Sequence, residues 1–290
     1  MAHERGHKGL LYYATQSGKG TPTAPTLPVG VWENLRARTI GGLRAVRSAG
    51  ARRIVDLVED MTGVELSFDI PNVQASTEQA ALLNLGIALG SGGTTALTYL
   101  TVGFGTATAD KHVEDTKIDS ISLSGDNEGA FSASVTAMGG KVGEPTLTSP
   151  QTYLSDAFLQ MHEAVYSRFE LASFRCELRN NLVMKPVIAG PATTRDPGRV
   201  WDYLTEGPED ISGSYGVYNT SGEDLQANEI TAVSPTLRFV DKGAAVDELL
   251  ITITTQKSGD ETETIPGADG DVEREVTWIG TSLAIAATEY

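Results

Sequence analysis

The sequence predicts a mainly β protein, a β-sandwich or β-barrel with one flanking α-helix. Three observations predict it. Stretches of strict apolar/polar alternation recur, as in Phe131-Ser-Ala-Ser-Val-Thr-Ala-Met138. A period of two lays one face on a core and the other toward solvent or a neighbour. Turn residues separate these stretches, and helical spacing with recognisable ends is scarce. The chain has 290 residues, 40% of them apolar and 21% charged. At about 150 residues per domain this is room for two compact units. The composition is not that of a disordered chain.

Taken in order, the first feature is the loop-like segment Gln16-Ser-Gly-Lys-Gly-Thr-Pro-Thr-Ala-Pro25. An arginine-rich stretch follows, then the alternating run Val64-Glu-Leu-Ser-Phe68. The helix is predicted over 76–89. Ser76 and Gln79 form a capping box, Gly90 is the stop, and Leu82, Leu85 and Leu89 share a stripe with Leu83 beside it. Ile118-Asp-Ser-Ile-Ser-Leu123 and the Phe131 run are strands around the turn Gly125-Asp-Asn-Glu-Gly129. After Ser149-Pro150, the residues Leu154, Phe158, Met161 and Val165 have helical spacing, yet the run from Leu159 to Leu178 also reads as extended. A second loop covers Ala189 to Gly198. Leu249-Leu-Ile-Thr-Ile-Thr254 and the run from Glu275 to Ala287 close the chain as strands, with a turn at Ser258-Gly-Asp-Glu261.

The order of features repeats. Leu35-Arg-Ala-Arg-Thr-Ile-Gly-Gly-Leu is echoed by Leu178-Arg-Asn-Asn-Leu-Val-Met. Val58-Glu-Asp-Met-Thr-Gly-Val-Glu-Leu-Ser-Phe can be laid beside Pro208-Glu-Asp-Ile-Ser-Gly-Ser-Tyr-Gly-Val-Tyr. Each half then ends in paired strands. The expectation is a tandem duplication: 1–150 with a basic arm and the helix, and 151–290 as the second unit.

The net charge is −16, unevenly spread. Residues 1–60 hold nine Lys/Arg and five Asp/Glu, and 34–55 hold six arginines and no acid. Such an acidic chain is a poor nucleic-acid binder, because phosphate contacts need cations. Its polarity suits head-to-tail self-association, which needs two different, complementary surfaces.

Chemistry is sparse. The single cysteine, Cys176, excludes a disulfide framework and any multi-cysteine zinc site, and is expected to be a small buried residue in a strand. His162-Glu163 opens like a zinc-protease motif, but the second histidine position is Tyr166. His3 and His7 have a metal-compatible spacing at a fraying terminus, and His112 is expected to be a solvated surface histidine. Gly18-Lys-Gly-Thr lacks the earlier glycine of a phosphate loop, and no Gly-x-Ser-x-Gly elbow occurs. No enzyme activity, cofactor or metal is expected. Apolar runs are short, no secretory leader is evident, and no membrane insertion is expected.

Several segments carry a resemblance when taken together. They are Leu11-Tyr-Tyr-Ala-Thr-Gln-Ser-Gly-Lys-Gly-Thr-Pro, the arginine-rich arm before Val64-Glu-Leu-Ser-Phe-Asp-Ile-Pro71, and Ala80-Ala-Leu-Leu-Asn-Leu-Gly-Ile-Ala-Leu-Gly90. Phe174-Arg-Cys-Glu-Leu-Arg-Asn-Asn-Leu182 and Glu206-Gly-Pro-Glu-Asp-Ile-Ser-Gly-Ser-Tyr215 complete the set. In this order the chain resembles the major tail tube proteins of long-tailed, siphovirus-type bacteriophages and related archaeal viruses. The resemblance implies β-subunits that join sheets around a ring, and rings that stack into a tube for genome delivery. Two copies of the fold per chain imply three chains per pseudo-hexameric ring, and one copy implies six. It further implies a place in the virion tail after assembly in the host cytoplasm. Tape-measure, tail-terminator and baseplate proteins would be partners, and viral DNA would pass the lumen without specific binding.

On this reading Arg44, Arg47, Arg52 and Arg53 form inter-subunit or inter-ring contacts with acids of the body: Asp260, Glu261, Glu263, Asp269 and Asp271. Two competing readings are a ring-forming tail terminator, baseplate or secretion-tube component, and a carbohydrate-binding or adhesin module using Trp32, Trp201 and Trp278.

Overall fold

The computed structural model describes residues 10–40, 43–46, 56–59, 63–71, 73, 77–87, 96–106, 109–126, 131–143, 159–165, 170–188, 199–218, 236–241, 248–264 and 273–288. Among them the fold is mainly β with one helix, and every strand pairing is antiparallel. The first half contains β1 (Leu10–Thr15), β2 (Leu27–Pro28), β3 (Glu33–Ile40), β4 (Leu43–Val46), β5 (Asp56–Glu59) and β6 (Gly63–Ile70). Then come the helix α1 (Thr77–Asn84), β7 (Leu100–Thr106), β8 (Ala109–Asp126), β9 (Ser132–Gly139) and β10 (Lys141–Gly143). The second half contains β11 (Leu159–Val165), β12 (Glu170–Arg179), β13 (Val183–Ile188), β14 (Arg199–Thr205), β15 (Asp210–Tyr218), β16 (Thr236–Asp241), β17 (Glu248–Thr264) and β18 (Glu273–Thr288).

One 14-stranded sheet runs β11-β16-β17-β18-β15-β12-β8-β7-β1-β2, and β9 and β10 take the other edge of β8 with β6 and β3 beyond. The long strand β8 serves two neighbours in succession along one edge. Its first half pairs with β7 and its second half, from Ser120, pairs with β12. β11, at the far end of the path, comes back against β8, so the sheet curls around its core.

The strand patterns explain that core. β6 alternates with Val64, Leu66, Phe68 and Ile70 inward, and β9 does so with Ala133, Val135 and Ala137. Ile118, Ile121 and Leu123 of β8, Phe174, Cys176 and Leu178 of β12, and Leu249, Ile251 and Ile253 of β17 join the same cluster. Each large side chain fully buried there is worth about 1.5–3 kcal/mol.

The helix is shorter than the sequence indicates, ending at Asn84 with a tight turn through Ile87. Ser76, Leu89 and Gly90 lie outside the described residues. Leu82 and Leu83 are buried as expected, and Gln79 is fully buried, with its Nε2 donating to the Val29 carbonyl at 2.8 Å. The turn that follows brings the backbone close to β8. A Cβ on Gly86 would lie 2.6 Å from Ile121 Cδ1 and 2.7 Å from Ile118 Cγ2. The ambiguous run after 158 is extended: Leu159–Val165 is a strand.

The pairing scheme of β1–β10 recurs in β11–β18. β3–β6 is matched by β12–β15, β6–β9 by β15–β18, β8–β9 by β17–β18, β7–β8 by β16–β17 and β1–β7 by β11–β16. The separate hairpin β4–β5 is matched by β13–β14. The registers agree as well. Val64 opposes Gly139 where Ile211 opposes Gly280, and a Cβ on either glycine would press on β8 Val113 or β17 Ile253 respectively. Lys117 opposes Met138 where Lys257 opposes Ile279, and a bulge follows in each pair, at Ile118/Ser120 and at Ser258/Glu261. Arg44 opposes Val58 where Val183 opposes Thr205.

This register corrects the alignment made from sequence. Val64 corresponds to Ile211, not Ser214, and Phe68 to Tyr215, not Tyr218. The reason is the strand period: Val64 and Phe68 are buried, as are Ile211 and Tyr215, whereas Ser214 is not. A shift by an odd number of residues turns every side chain to the other face. The two halves nonetheless share one sheet and one core.

Candidate functional site

The distinctive site is the joint where the second half meets the first. Its backbone is the pairing of β8 with β12, from Ser120 opposite Arg179 to Asp126 opposite Ser173. One flank of the ladder is a polar knot. Lys117 is 4% exposed, and its Nζ donates to Glu206 Oε1 at 2.5 Å. The same Nζ stands 4.2 Å above the Tyr99 ring, a cation–π geometry. Glu206 Oε1 also accepts the Leu97 N–H at 3.0 Å. Removing either member of such a pair leaves a charge with poor solvation, which is what makes the contact decisive.

Asn180 continues the knot. Its Nδ2 donates to the carbonyls of Gly86 (2.7 Å) and Ile118 (3.0 Å), and its N–H donates to the Asp119 carbonyl at 2.7 Å. Asp119 Oδ1 accepts the Leu182 N–H at 2.8 Å. Burial pushes the Asp119 carboxyl above its usual range, with the Leu182 N–H acting the other way. Asn181 turns the chain from β12 into β13 at φ 49°, a left-handed conformation that asparagine tolerates. Its Nδ2 donates to the Pro208 carbonyl and to Asp210 Oδ2, both at 2.8 Å. The base of the β13–β14 hairpin is thereby fastened to the β7–β8 region of the other half.

Inside the joint an aromatic series crosses three strands. Phe174 stacks on Tyr215 at 6.1 Å between centroids, and Tyr215 on Trp278 at 5.4 Å. Gly213 makes room for it, since a Cβ there would collide with the Trp278 ring and the Arg175 carbonyl. Cys176 is buried as expected, and burial pushes its thiol up to about 12, so it is no nucleophile.

Among the described residues the counterparts of this joint stand open. β12 corresponds to β3, and β12 is flanked by β15 and β8, whereas β3 pairs with β6 alone among the described residues. β3 is exposed on both faces at Arg36, Ala37, Arg38 and Thr39, although Phe174, Cys176 and Leu178 of β12 are buried. The second half of β8 corresponds to the second half of β17. From Thr255 to Thr264, β17 pairs with β18 and with no other described strand.

The residues singled out from sequence fall on β4, on the second half of β17, or outside the described residues. Arg44 is in β4, opposite Val58. Glu261 and Glu263 lie in β17 opposite Val276 and Arg274, with Asp260 in the bulge before them. Arg47, Arg52, Arg53, Asp269 and Asp271 lie outside the described residues. Among the described residues no strand pairing joins β4 to β17. Sequence reasoning missed Lys117, Asp119, Asn180 and Glu206. The signal that marks them is the repeat itself, once its register is known.

Other candidates resolve simply. His112 is not solvated: its side chain is 12% exposed and its Nε2 lies 2.8 Å from Glu114 Oε1. Trp278 is buried and Trp32 packs on the core, so neither is a free sugar platform; the side chain of Trp201 lies outside the described set. Among the described residues no group of three or more His, Cys, Asp or Glu could hold a metal ion. No helix among them is long and apolar enough to cross a membrane. The loop at 16–25 is tied down. Gln16 Nε2 donates to the Leu100 carbonyl and to Thr101 Oγ1, and the Gly20 N–H donates to Asp115 Oδ1 at 2.6 Å. No protein-family model matches the chain, and no curated protein matches it.

Proposed function

We propose that this chain is a structural subunit of a viral tail tube, which assembles with copies of itself into rings that stack into a channel for genome delivery. One observation carries the reading. Among the described residues the chain contains one edge-to-edge joint between two repeated units and leaves the equivalents of both its sides open, at β3 and at β17. Open edges are an aggregation hazard in a free molecule, and closing them around a ring removes the hazard. Two different edges give head-to-tail contacts, the kind that forms closed rings.

The charge fits the reading. A net charge of −16 supplies carboxylates for a lumen that repels phosphate, so DNA slides without sticking. With two repeats per chain, three chains close a ring of six repeats. Tape-measure, terminator and baseplate proteins are the partners this role calls for, and no cofactor is needed. Negative-stain electron microscopy of concentrated protein tests it. Rings stacked into long tubes support the proposal, single rings that never stack favour a terminator or baseplate role, and monomers at every concentration overturn both.

A further inference from the structure

From the internal repeat we infer the interface between copies: the second half of β17 pairs antiparallel with β3 of the next copy, and Lys257 of one copy meets Glu59 of the other. The inference rests on the self-assembly reading and adds to it the two strands, their register and the ion pair.

The template is the joint inside the chain. There Ser120, Ser122 and Ser124 of β8 stand opposite Arg179, Glu177 and Arg175 of β12. The repeat carries Ser122 and Ser124 to Thr262 and Thr264, because Ser122 opposes Ser134 and Ser124 opposes Ser132 in β9 just as Thr262 opposes Glu275 and Thr264 opposes Glu273 in β18. It carries Arg175 and Glu177 to Arg36 and Arg38. Arg175 opposes Ser214 in β15, and Arg36 opposes Ser67 in β6, with Val64 and Ile211 fixing the match of those two strands. In the assembly Arg36 therefore faces Thr264, Arg38 faces Thr262 and Ala37 faces Glu263.

Charge agrees with this pairing. The open edge of β3 presents Arg36 and Arg38, both exposed, while the open half of β17 contains Asp260, Glu261 and Glu263. Opposite charges on joined strands add to the ladder, and like edges would repel, which disfavours β3 meeting β3.

The lock agrees too. Lys117 and Lys257 hold the same register position, opposite Met138 and Ile279. Glu206 directly follows Thr205, the partner of Val183, and Glu59 directly follows Val58, the partner of Arg44. Glu59 thus stands where Glu206 stands, and the lysine and the carboxylate of the buried pair are both duplicated. By register they belong to the two open sides of one chain, and a second copy would bring them together. The base of the β4–β5 hairpin would then be fastened to β17 of the next copy as the base of β13–β14 is fastened to β8.

Two experiments test it on the full chain. Double-cysteine variants Arg38→Cys/Thr262→Cys and Ala37→Cys/Glu263→Cys place thiols on adjacent pairs of the inferred register, one of which is the closer non-hydrogen-bonded kind. Mild oxidation of concentrated protein should give a reducible ladder of covalent oligomers from at least one of them. Arg38→Cys/Thr254→Cys should give none. Separately, Lys257→Glu and Glu59→Lys should each abolish assembly of folded protein, and the double reversal should restore it.

The outcomes separate the two claims. Rings or tubes that form with no ladder from either register pair overturn this interface and leave the tube reading standing. A ladder in open filaments that never close supports the interface and overturns the tube reading. Folded monomers that neither cross-link nor assemble overturn both. Failure of the double reversal to restore assembly removes the Lys257–Glu59 lock.

Discussion

Asn84 at the end of α1 and Ile285 of β18, 201 positions apart, exchange two hydrogen bonds. The Asn84 Nδ2 donates to the Ile285 carbonyl at 2.6 Å, and the Ile285 N–H donates to Asn84 Oδ1 at 3.2 Å. The amide side chain imitates a neighbouring strand. It covers β18 at a point where β15, which pairs only as far as Gly280, has already ended. A single side chain thus completes an edge that the sheet leaves short.

Replacing it by alanine strands a backbone donor and acceptor in a half-buried place. Asn84→Ala is expected to cost about 2–3 kcal/mol, read as a lower urea midpoint with an unchanged slope. Asn84→Asp keeps the acceptor and loses the donor. It should also destabilise the protein, more strongly at pH 7 than at pH 4, because its charge would face the Ile285 carbonyl.

Lys117 and Glu206 should behave as a unit. Lys117→Met leaves Glu206 without its cation, and Glu206→Gln leaves a buried ammonium. Each should cost about 3 kcal/mol, while Lys117→Met with Glu206→Gln should cost clearly less than the sum. A double-mutant cycle by chemical denaturation checks this, and additive losses would refute it.

Asp119 gives a pH signature. Burial raises its folded carboxyl above the unfolded value, so the folded state holds that proton more tightly. The favourable contribution is present at low pH and is lost as pH rises through the folded pKa. Asp119→Asn keeps an acceptor for Leu182 N–H and removes the charge. Its melting temperature should be close to that of the parent at pH 4 and should rise above it toward pH 7.

Cys176 supplies a probe of the intact joint. Burial holds its thiol at about 12, so it stays protonated and shielded at neutral pH. Ellman's reagent should find no reactive thiol in the native protein and one per chain in denaturant. Reaction under native conditions would mean that β12 opens readily.

Much of the fold was legible because strands announce themselves locally. The run Phe131 to Met138 became β9, and Leu249 to Thr254 became the first part of β17. The helix was legible in place but not in length. Nothing near Gly86 in sequence reveals that Ile118 and Ile121 crowd it. The repeated order of strands left a trace in the sequence, yet its register was three positions off at Val64 and four at Arg36, because glycine and hydroxyl matches were weighed above the inward or outward parity of Val64 and Ile211. The polar knot was out of reach. Lys117 and Glu206 are 89 positions apart, and a lysine due for burial looks like any other until the partner strand is placed. His112 was misjudged for the same reason, its cover coming from folding rather than from neighbours in sequence.

Carrying both repeat units on one polypeptide changes the kinetics of any closed assembly built from it. The β8–β12 seam forms as the chain folds, at an effective concentration on the order of millimolar, whatever the dilution of the protein. Half of the seams are therefore insensitive to supply, and only the other half wait on collisions. Asn180 binds the permanent seam, through the carbonyls of Gly86 and Ile118 in the other half. A container can thus hold firm at alternate staves and still be assembled, or taken apart, at the rest.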